Sequence, residues 1–293
     1  MILRGSYPAL VTPFRDGTLD LAAARSLVEH VIACGSAGIV PVGCTGEAAA
    51  LTLAERELLI GTVVDVVTKR VPVIVGTGTN NTRTTIELSH MAAGLGADAV
   101  MLITPYYNKP TQEGLFQHYR AVAEKIKLPI IIYNVPGRTG VSIAPETVAR
   151  IAEIEHVVGI KEASGSLDQV TAILARCNIT VLSGDDSLTL PMLAVGAKGV
   201  ISTVANVAPT DMADLVSSYL SGDSHRAREL HFKLFPLIKA MFIETNPCPV
   251  KRALEFLGRI TGELRLPLVP VSDASSRLIR DALTSFGLLR EVV

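Results

Sequence analysis

The chain has 293 residues, of which 48% are hydrophobic and 19% are charged, and its formal net charge is −1. At this length one domain can bury about three quarters of the surface that the unfolded chain exposes. The balanced charge gives no field that would attract nucleic acid or an anionic membrane. There is no tryptophan and aromatic residues make up 4% of the chain, which disfavours a stacking platform for single strands. We therefore expect neither nucleic acid nor membrane as a partner.

The cysteines and the N-terminal segment indicate the compartment. Cys34, Cys44, Cys177 and Cys248 show no CxxC spacing, so they are predicted to be reduced thiols, with no disulfide framework or zinc site. Residues 1–14 contain no apolar core of a signal peptide, and no run reaches the ~18 apolar residues of a membrane span. We expect a cytoplasmic protein.

Short apolar runs alternate with amphipathic stretches over the first two thirds of the chain. Most runs are nearly continuous in Val, Ile and Leu, which is typical of parallel strands that are covered on both faces. The eight predicted strands are Tyr7–Val11, Gly38–Val42, Val71–Gly76, Ala99–Ile103, Pro129–Tyr133, Val157–Lys161, Thr180–Ser183 and Gly199–Ser202.

Helix-start signals lie between these runs. Thr52 with Glu55, and Ser166 with Gln169, have the spacing of capping boxes. Pro145 suits the first position of a helix. After about residue 208 the strands cease, and the pattern predicts four helices at Pro209–Leu220, Asp223–Ile243, Pro247–Leu257 and Ser275–Phe286.

A weak internal repeat supports a series of strand–helix units. Gly35–Val40, Gly96–Met101 and Gly196–Ile201 share one pattern, in which a glycine ends a helix just before a strand. Eight such units favour an α/β fold with a (β/α)8 TIM barrel at residues 1–222 and a C-terminal helical extension at 223–293. A doubly wound sheet is the alternative, although no GxGxxG motif follows the first strand.

In a barrel of this kind, catalytic groups lie at the carboxyl ends of the strands. Lys161 ends the apolar run Val157–Lys161. Burial at that point would lower the pKa of the ammonium and free the amine to attack a carbonyl. The alternative is a lysine that reaches solvent or forms a salt bridge, for example with Glu162.

Further polar residues follow neighbouring strands. Tyr133 ends the preceding run, and its phenol suits proton transfer, with Thr45 and Tyr107 as possible extensions of the relay. Arg138 can form a bidentate contact with a carboxylate. Each of these residues also has an ordinary structural interpretation, and the glycines of Gly43–Gly46 can serve a tight turn.

Two adjacent carboxylates follow the seventh predicted strand. Asp185 and Asp186 have no histidine nearby in sequence, which makes them weak evidence for a metal site. We interpret them as a helix N-cap or as substrate contacts, and no metal is expected.

Five motifs taken together are specific to one family. They are Gly43–Glu47, Thr104–Pro110, Tyr133–Gly140, Gly159–Ala163 and Ser183–Asp186. On these motifs the chain resembles the dihydrodipicolinate synthase/N-acetylneuraminate lyase family of class I aldolase-like enzymes over nearly its whole length.

The resemblance implies a reaction and a role for each matched residue. Pyruvate would condense with aspartate 4-semialdehyde to give 4-hydroxy-tetrahydrodipicolinate in lysine (diaminopimelate) biosynthesis. Lys161 would carry the pyruvate imine, which makes any metal or organic cofactor unnecessary. Tyr133 would relay protons with Thr45 and with Tyr107 of a neighbouring subunit in a homotetramer, a dimer of dimers. Arg138 would bind the aldehyde's carboxylate, while Cys44, Gly184, Asp185 and Ile201 would line the site.

Position 44 departs from the family pattern. Synthases usually carry threonine there, and a thiol is a weaker hydrogen-bond partner than a hydroxyl. Two other functions remain open on the sequence: a pyruvate-releasing aldolase or lyase acting on a sugar acid, and a non-catalytic barrel that binds a 2-oxo acid. Arg138 favours the synthase branch.

The resemblance also bears on feedback by free lysine, which regulated members bind at a subunit interface. Asn80 and Tyr106 match those members, whereas the residues at positions 48, 53, 56 and 84 differ. Thr84 replaces a glutamate and Arg56 replaces a histidine, so a carboxylate for the ligand is lost and a positive charge is gained. We expect feedback by lysine to be weak or absent.

Overall fold

The computed structural model describes residues 2–290. Seven parallel strands form one curled sheet in the order β1-β9-β8-β7-β6-β5-β4, and β2 and β3 form a small antiparallel hairpin. The strands are β1 Gly5–Pro8, β2 Phe14–Arg15, β3 Thr18–Leu19, β4 Ile74–Gly76, β5 Ala99–Ile103, β6 Ile130–Asn134, β7 Val157–Glu162, β8 Thr180–Ser183 and β9 Gly199–Ser202. The predicted α/β class with a parallel sheet is confirmed, and the bounds of β5, β8 and β9 are those predicted.

The predicted second strand, Gly38–Val42, forms isolated bridges instead of a regular strand. Val40 pairs in parallel with Ala9, and Ile39 pairs in parallel with Val73. This segment therefore lies between the two edges of the curled sheet. The next residue is Pro41, which has no N–H to donate, and Val42 has a φ of 57°, so the ladder cannot continue regularly.

Helices alternate with the strands and cover the sheet. They are α1 Leu21–Ala33, α2 Leu53–Val67, α3 Thr82–Gly94, α4 Gln112–Ala123, α5 Pro136–Thr139, α6 Pro145–Ala152, α7 Leu167–Leu174, α8 Thr189–Ala194, α9 Pro209–Leu220, α10 Ser224–Met241, α11 Cys248–Phe256 and α12 Asp273–Phe286. Three 3₁₀ turns lie at Ala48–Ala50, Asp186–Leu188 and Val204–Asn206. All four predicted C-terminal helices are present, with ends that differ from the predicted ones by two residues or fewer.

The helix-start signals are confirmed with one correction. Thr52 and Glu55 form the reciprocal capping box at α2, and Pro145 is the first residue of α6. Ser166 accepts from the Gln169 backbone, but the Gln169 side chain donates to the carbonyl of residue 143 at 2.8 Å. The second capping box is therefore only half formed, because the glutamine amide finds a tertiary partner.

Alternating strand residues divide the core into two parts. One cluster packs the sheet against the helices and includes Val100, Leu102 and Ile132. A smaller cluster contains Met101, Tyr133 and ten other residues, none of them from a helix. Successive side chains of a strand point to opposite faces, so the smaller cluster fills the inside of the curled sheet.

No helix within residues 2–290 is long and apolar enough to cross a bilayer.

Candidate active site

Lys161 lies inside the curled sheet near the carboxyl end of β7. It pairs in register with Tyr133 on β6, and its ammonium lies 4.3 Å from the centre of the Tyr133 ring. Lys161 is 6% exposed. The pKa of Lys161 is lowered to about 8: burial is the main cause and Arg138 adds to it, whereas Cys44 and Asp186 oppose the shift. A substantial share of this amine is therefore neutral near physiological pH.

The neighbouring carboxylate does not neutralise this lysine. Glu162 follows Lys161 on the strand and so points to the opposite face. Its two oxygens accept from the Asn134 amide at 2.9 and 3.2 Å, and one of them also accepts from the Ser164 N–H at 2.7 Å. Among the residues that the structure describes, no carboxylate lies in ion-pair contact with Lys161, which disfavours the salt-bridge alternative.

A cavity of about 370 Å³ opens beside this pair of residues. Cys44, Tyr133 and Arg138 are among the residues that line it. Lys161 is not one of them, but its ammonium is next to the ring of Tyr133, which is. The volume is in the range of small-molecule sites. Burial, and then the Cys44 thiol, raises the pKa of Tyr133 well above its usual range, and Arg138 opposes this. Tyr133 is therefore a protonated phenol that can donate and accept a proton in turn.

Arg138 lies on α5, the short helix that directly follows β6. One of its nitrogens donates to the Asn246 carbonyl at 3.2 Å. A guanidinium has five N–H donors, and this contact uses one of them. Arg138 thus presents an oriented positive charge at the cavity, suited to a substrate carboxylate.

Thr45 is held from two sides in the turn Gly43–Glu47. Its hydroxyl oxygen accepts from the Asn246 side chain at 2.9 Å and lies 3.4 Å from the Thr203 hydroxyl. Asn246 therefore contacts both Thr45 and Arg138, although it lies between α10 and α11, far along the chain. Sequence reasoning missed Asn246, because no local pattern shows which strand ends a residue of a C-terminal loop will reach.

The two acidic residues after β8 have different surroundings. Asp185 caps the following 3₁₀ turn by accepting from the Ser187 N–H at 3.0 Å and hydroxyl at 2.8 Å, which confirms the N-cap interpretation. Asp186 is 2% exposed and accepts from the N–H groups of Thr203 at 3.1 Å and Val204 at 3.2 Å. Burial raises the pKa of Asp186 to about 6. Asp186, one of the two residues interpreted from the sequence as an N-cap or a substrate contact, is thus the acid that acts electrostatically on the buried lysine.

Gly184 borders the lysine, and Ile201 lies in the inner cluster of the same sheet. A Cβ at Gly184 would lie 3.0 Å from Cε of Lys161. Glycine at this position therefore leaves space for the Lys161 side chain. Ile201 is 1% exposed and belongs to the inner cluster, opposite Tyr7 of β1. Tyr107 is 89% exposed. It is not among the residues that line the cavity of its own chain, and neither are Thr45, Lys161, Gly184, Asp185 and Ile201.

No group of three or more His, Cys, Asp or Glu side chains within residues 2–290 is arranged to hold a metal ion. The absence of a metal or organic cofactor from the reaction stays a prediction.

The fold and this cavity define an α/β enzyme whose site lies at the carboxyl ends of a curled parallel sheet. Residues 2–285 match the model of the dihydrodipicolinate synthetase family. The chain belongs to this family, and it is an enzyme.

Full-length relatives support the same assignment. The 4-hydroxy-tetrahydrodipicolinate synthase of Methanothrix thermoacetophila is 53% identical over 290 residues, 98% of each chain. That of Syntrophus aciditrophicus is 50% identical over 290 residues, 98% of this chain and all of the other. Among solved structures, the dihydrodipicolinate synthase of Thermotoga maritima is 47% identical with a TM-score of 0.97, over 99% of this chain and 100% of that one.

The lowered pKa of Lys161 predicts a specific pH dependence. With pyruvate, the 2-oxo acid implied by the sequence motifs, kcat/KM should rise with pH and level off above about 8, because only the neutral amine attacks. Arg138→Leu should move the inflection to higher pH, since the guanidinium charge lowers the lysine's pKa. A wild-type profile that keeps rising toward the ordinary lysine pKa of 10.5 would contradict this account.

Removal of the Tyr133 hydroxyl should distinguish its role in proton transfer from the packing role of its ring. Tyr133→Phe keeps the ring against Lys161 and should lower kcat by about 100-fold or more. Cys44→Thr is the matched control, because it changes a neighbour of the phenol to the residue usual in the family at similar volume, and its kcat should be equal to or above that of wild type. Steady-state kinetics of the two variants test the relay, and equal losses in both would refute the separate role of Tyr133.

Proposed function

We propose that this enzyme condenses pyruvate with aspartate 4-semialdehyde to form 4-hydroxy-tetrahydrodipicolinate, with Lys161 as the imine-forming residue. The observation that carries the proposal is a buried lysine of lowered pKa against a strand-end tyrosine, beside a cavity that Arg138 also lines. A neutral amine, a proton carrier and a cationic carboxylate contact are the groups that this condensation requires.

The chemistry follows from these groups. The Lys161 amine attacks C2 of pyruvate, and the carbinolamine loses water to give an imine. Loss of a proton from C3 gives the enamine, and its carbon attacks the aldehyde carbon. The amino group of the second substrate then attacks the imine carbon, which closes the ring and releases Lys161. Tyr133 gives and takes the protons of these steps together with Thr45, and the protonated imine accepts the electrons, so no metal or organic cofactor takes part.

The second substrate is oriented by charge and by close packing. Arg138 binds its carboxylate through the donors that the Asn246 carbonyl leaves free. Gly184, Asp185 and the backbone of Ile201 line the remainder of the site. The synthase of Acinetobacter baumannii, whose solved structure is complexed with pyruvate, is 44% identical with a TM-score of 0.96 over 98% of this chain and all of that one, which supports pyruvate as the first substrate.

We infer two further features of the architecture. Ile39 and Val40, bridged on both sides, act as the remaining strand of a (β/α)8 barrel that closes between β1 and β4. The chain assembles as a homotetramer, a dimer of dimers, in which Tyr107 enters the relay of a neighbouring subunit. The 89% exposure of Tyr107, with Leu53 61% and Tyr106 37% exposed, supports an interface there.

A coupled assay tests the proposed reaction. The wild-type enzyme should consume pyruvate and aspartate semialdehyde together, and Lys161→Ala should lose nearly all turnover, since no other described amine lies against Tyr133. A panel of aldehydes and sugar acids is the control for the alternatives. Cleavage of a sugar acid without use of the semialdehyde would favour a lyase, and binding of pyruvate without any turnover would favour a non-catalytic barrel.

Inhibition by free lysine should be weak or absent. Arg56 donates to the Ala48 carbonyl at 2.5 Å and lies next to Tyr106, so its charge stays at the position where regulated family members bind the cationic ligand. Thr84 supplies no carboxylate there. Loss of one charge-assisted contact weakens binding about 10- to 100-fold.

A steady-state titration with lysine measures this effect. Half-inhibition should lie above the millimolar range in wild type and fall in the double variant Arg56→His/Thr84→Glu, which restores the residues of regulated members. Half-inhibition of the wild type well below millimolar would contradict the prediction. The synthase of Cyanidioschyzon merolae, solved with lysine bound, is the appropriate reference, since it is 37% identical with a TM-score of 0.95 over 98% of this chain and 99% of that one.

A further inference from the structure

A buried ion pair connects helix α11 to the turn that carries Thr45. The Lys251 ammonium lies 2.5 Å from a carboxylate oxygen of Glu47, and neither side chain is exposed to solvent. The two residues are 204 positions apart in the chain. Such a pair loses much hydration when it is buried, so its attraction offers little net stability compared with apolar residues of similar size. Its presence beside the site therefore indicates a geometric role.

The surroundings fix the ammonium in one place. Lys251 also donates to the Thr12 carbonyl at 2.9 Å, and its ammonium lies 4.4 Å from the centre of the Phe14 ring. Burial lowers the pKa of this lysine and the Glu47 charge opposes the shift. The second oxygen of Glu47 accepts from the Arg265 backbone N–H at 3.2 Å. Both charged groups thus have several partners, which leaves them little freedom to move.

Glu47 needs such restraint because of its backbone. Its φ of 51° and ψ of 37° are in the left-handed region, which is unfavourable for a residue with a Cβ. The N–H of Glu47 donates to the Cys44 carbonyl at 3.1 Å, closing the turn around Thr45. Thr12 holds the same turn, since its hydroxyl donates to the Gly46 carbonyl at 2.6 Å. The ammonium of Lys251 thus contacts both Thr12 and Glu47, and each of these residues holds the turn around Thr45 by a hydrogen bond.

We propose that Lys251 is a positioning residue for the condensation, because its ammonium holds Glu47 and Thr12 together and so fixes the turn that presents the Thr45 hydroxyl to the relay. This inference rests on the proposed function. Lys161 lies on β7 and makes no contact with the ion pair. Loss of Lys251 should therefore slow the proton transfers in which Thr45 takes part and so lower kcat, while Lys161 can still reach the pyruvate imine over the time of a trapping experiment.

The experiment compares two lysine-to-methionine variants. Lys251→Met removes the buried ammonium and keeps an unbranched side chain. Lys233→Met is the matched control, since Lys233 also pairs with a carboxylate, Asp211 at 2.6 Å, and lies 4.6 Å from the Phe286 ring, but its side chain is half exposed and remote from the site. For each variant, borohydride trapping of pyruvate counts the competent sites, and kcat is expressed per trapped site.

We expect Lys251→Met to trap about one pyruvate per subunit while kcat per trapped site falls about 10- to 100-fold, as for a catalytic group displaced by about 1 Å. Lys233→Met should match wild type in both measurements. The double variant Glu47→Leu/Lys251→Met replaces the pair by apolar residues. Compared with Lys251→Met, it should regain thermal stability but not kcat. If the pair had only a structural role, kcat would recover together with the stability.

Three results would overturn the proposal: a kcat per trapped site of Lys251→Met within twofold of wild type, loss of pyruvate trapping in this variant, or recovery of kcat in the double variant. The second of these would show that the pair supports the whole fold. Wild type that traps pyruvate but does not use aspartate semialdehyde refutes the proposed function instead, and the variants are then compared on the aldehyde that wild type does use.

Discussion

The arrangement of the site depends on the burial of one amine. Lys161 lies among the apolar side chains that fill the curled sheet, and no carboxylate contacts it within the described residues. The Lys161 ammonium loses hydration there and has no ion-pair partner to compensate, and this loss is the main reason that its pKa is lowered to about 8. Arg138 adds to the shift, whereas Asp186 and Cys44 oppose it. The position of the lysine in the strand, more than any single neighbour, therefore makes the amine reactive.

The β6–β7 register then supplies the proton carrier. Tyr133 and Lys161 are paired residues of adjacent parallel strands, so their side chains emerge on the same face without any loop to position them. Two other parts of the site need long-range support. Thr45 lies in the turn Gly43–Glu47 and Arg138 lies on the short helix α5, and Asn246 contacts both of them. The segment at the start of α11 thus helps to position the site residues, and Lys251 in this segment binds Glu47.

Most features that depend on local sequence pattern were predicted correctly. The apolar runs predicted the bounds of β5, β8 and β9, and the change from apolar to polar residues at Lys161 predicted its place at a strand end. Pro41 is also a local signal, against a regular second strand, and the prediction of Gly38–Val42 overlooked it. Two features were not predictable from local pattern: Asn246 reaches the site through tertiary contacts, and Asp186 rather than Asp185 is buried near the lysine. The 1–222 and 223–293 division stays a prediction.

The central claim is that Lys161 forms a covalent imine with pyruvate, and peptide mass spectrometry tests it most directly. After incubation with pyruvate and reduction by borohydride, the added mass should appear on the peptide that contains Lys161, at about one per chain. It should be absent from Lys161→Ala and from protein treated with borohydride alone. An adduct on another lysine, such as Lys109 or Lys251, or no adduct in catalytically active protein, would contradict the account.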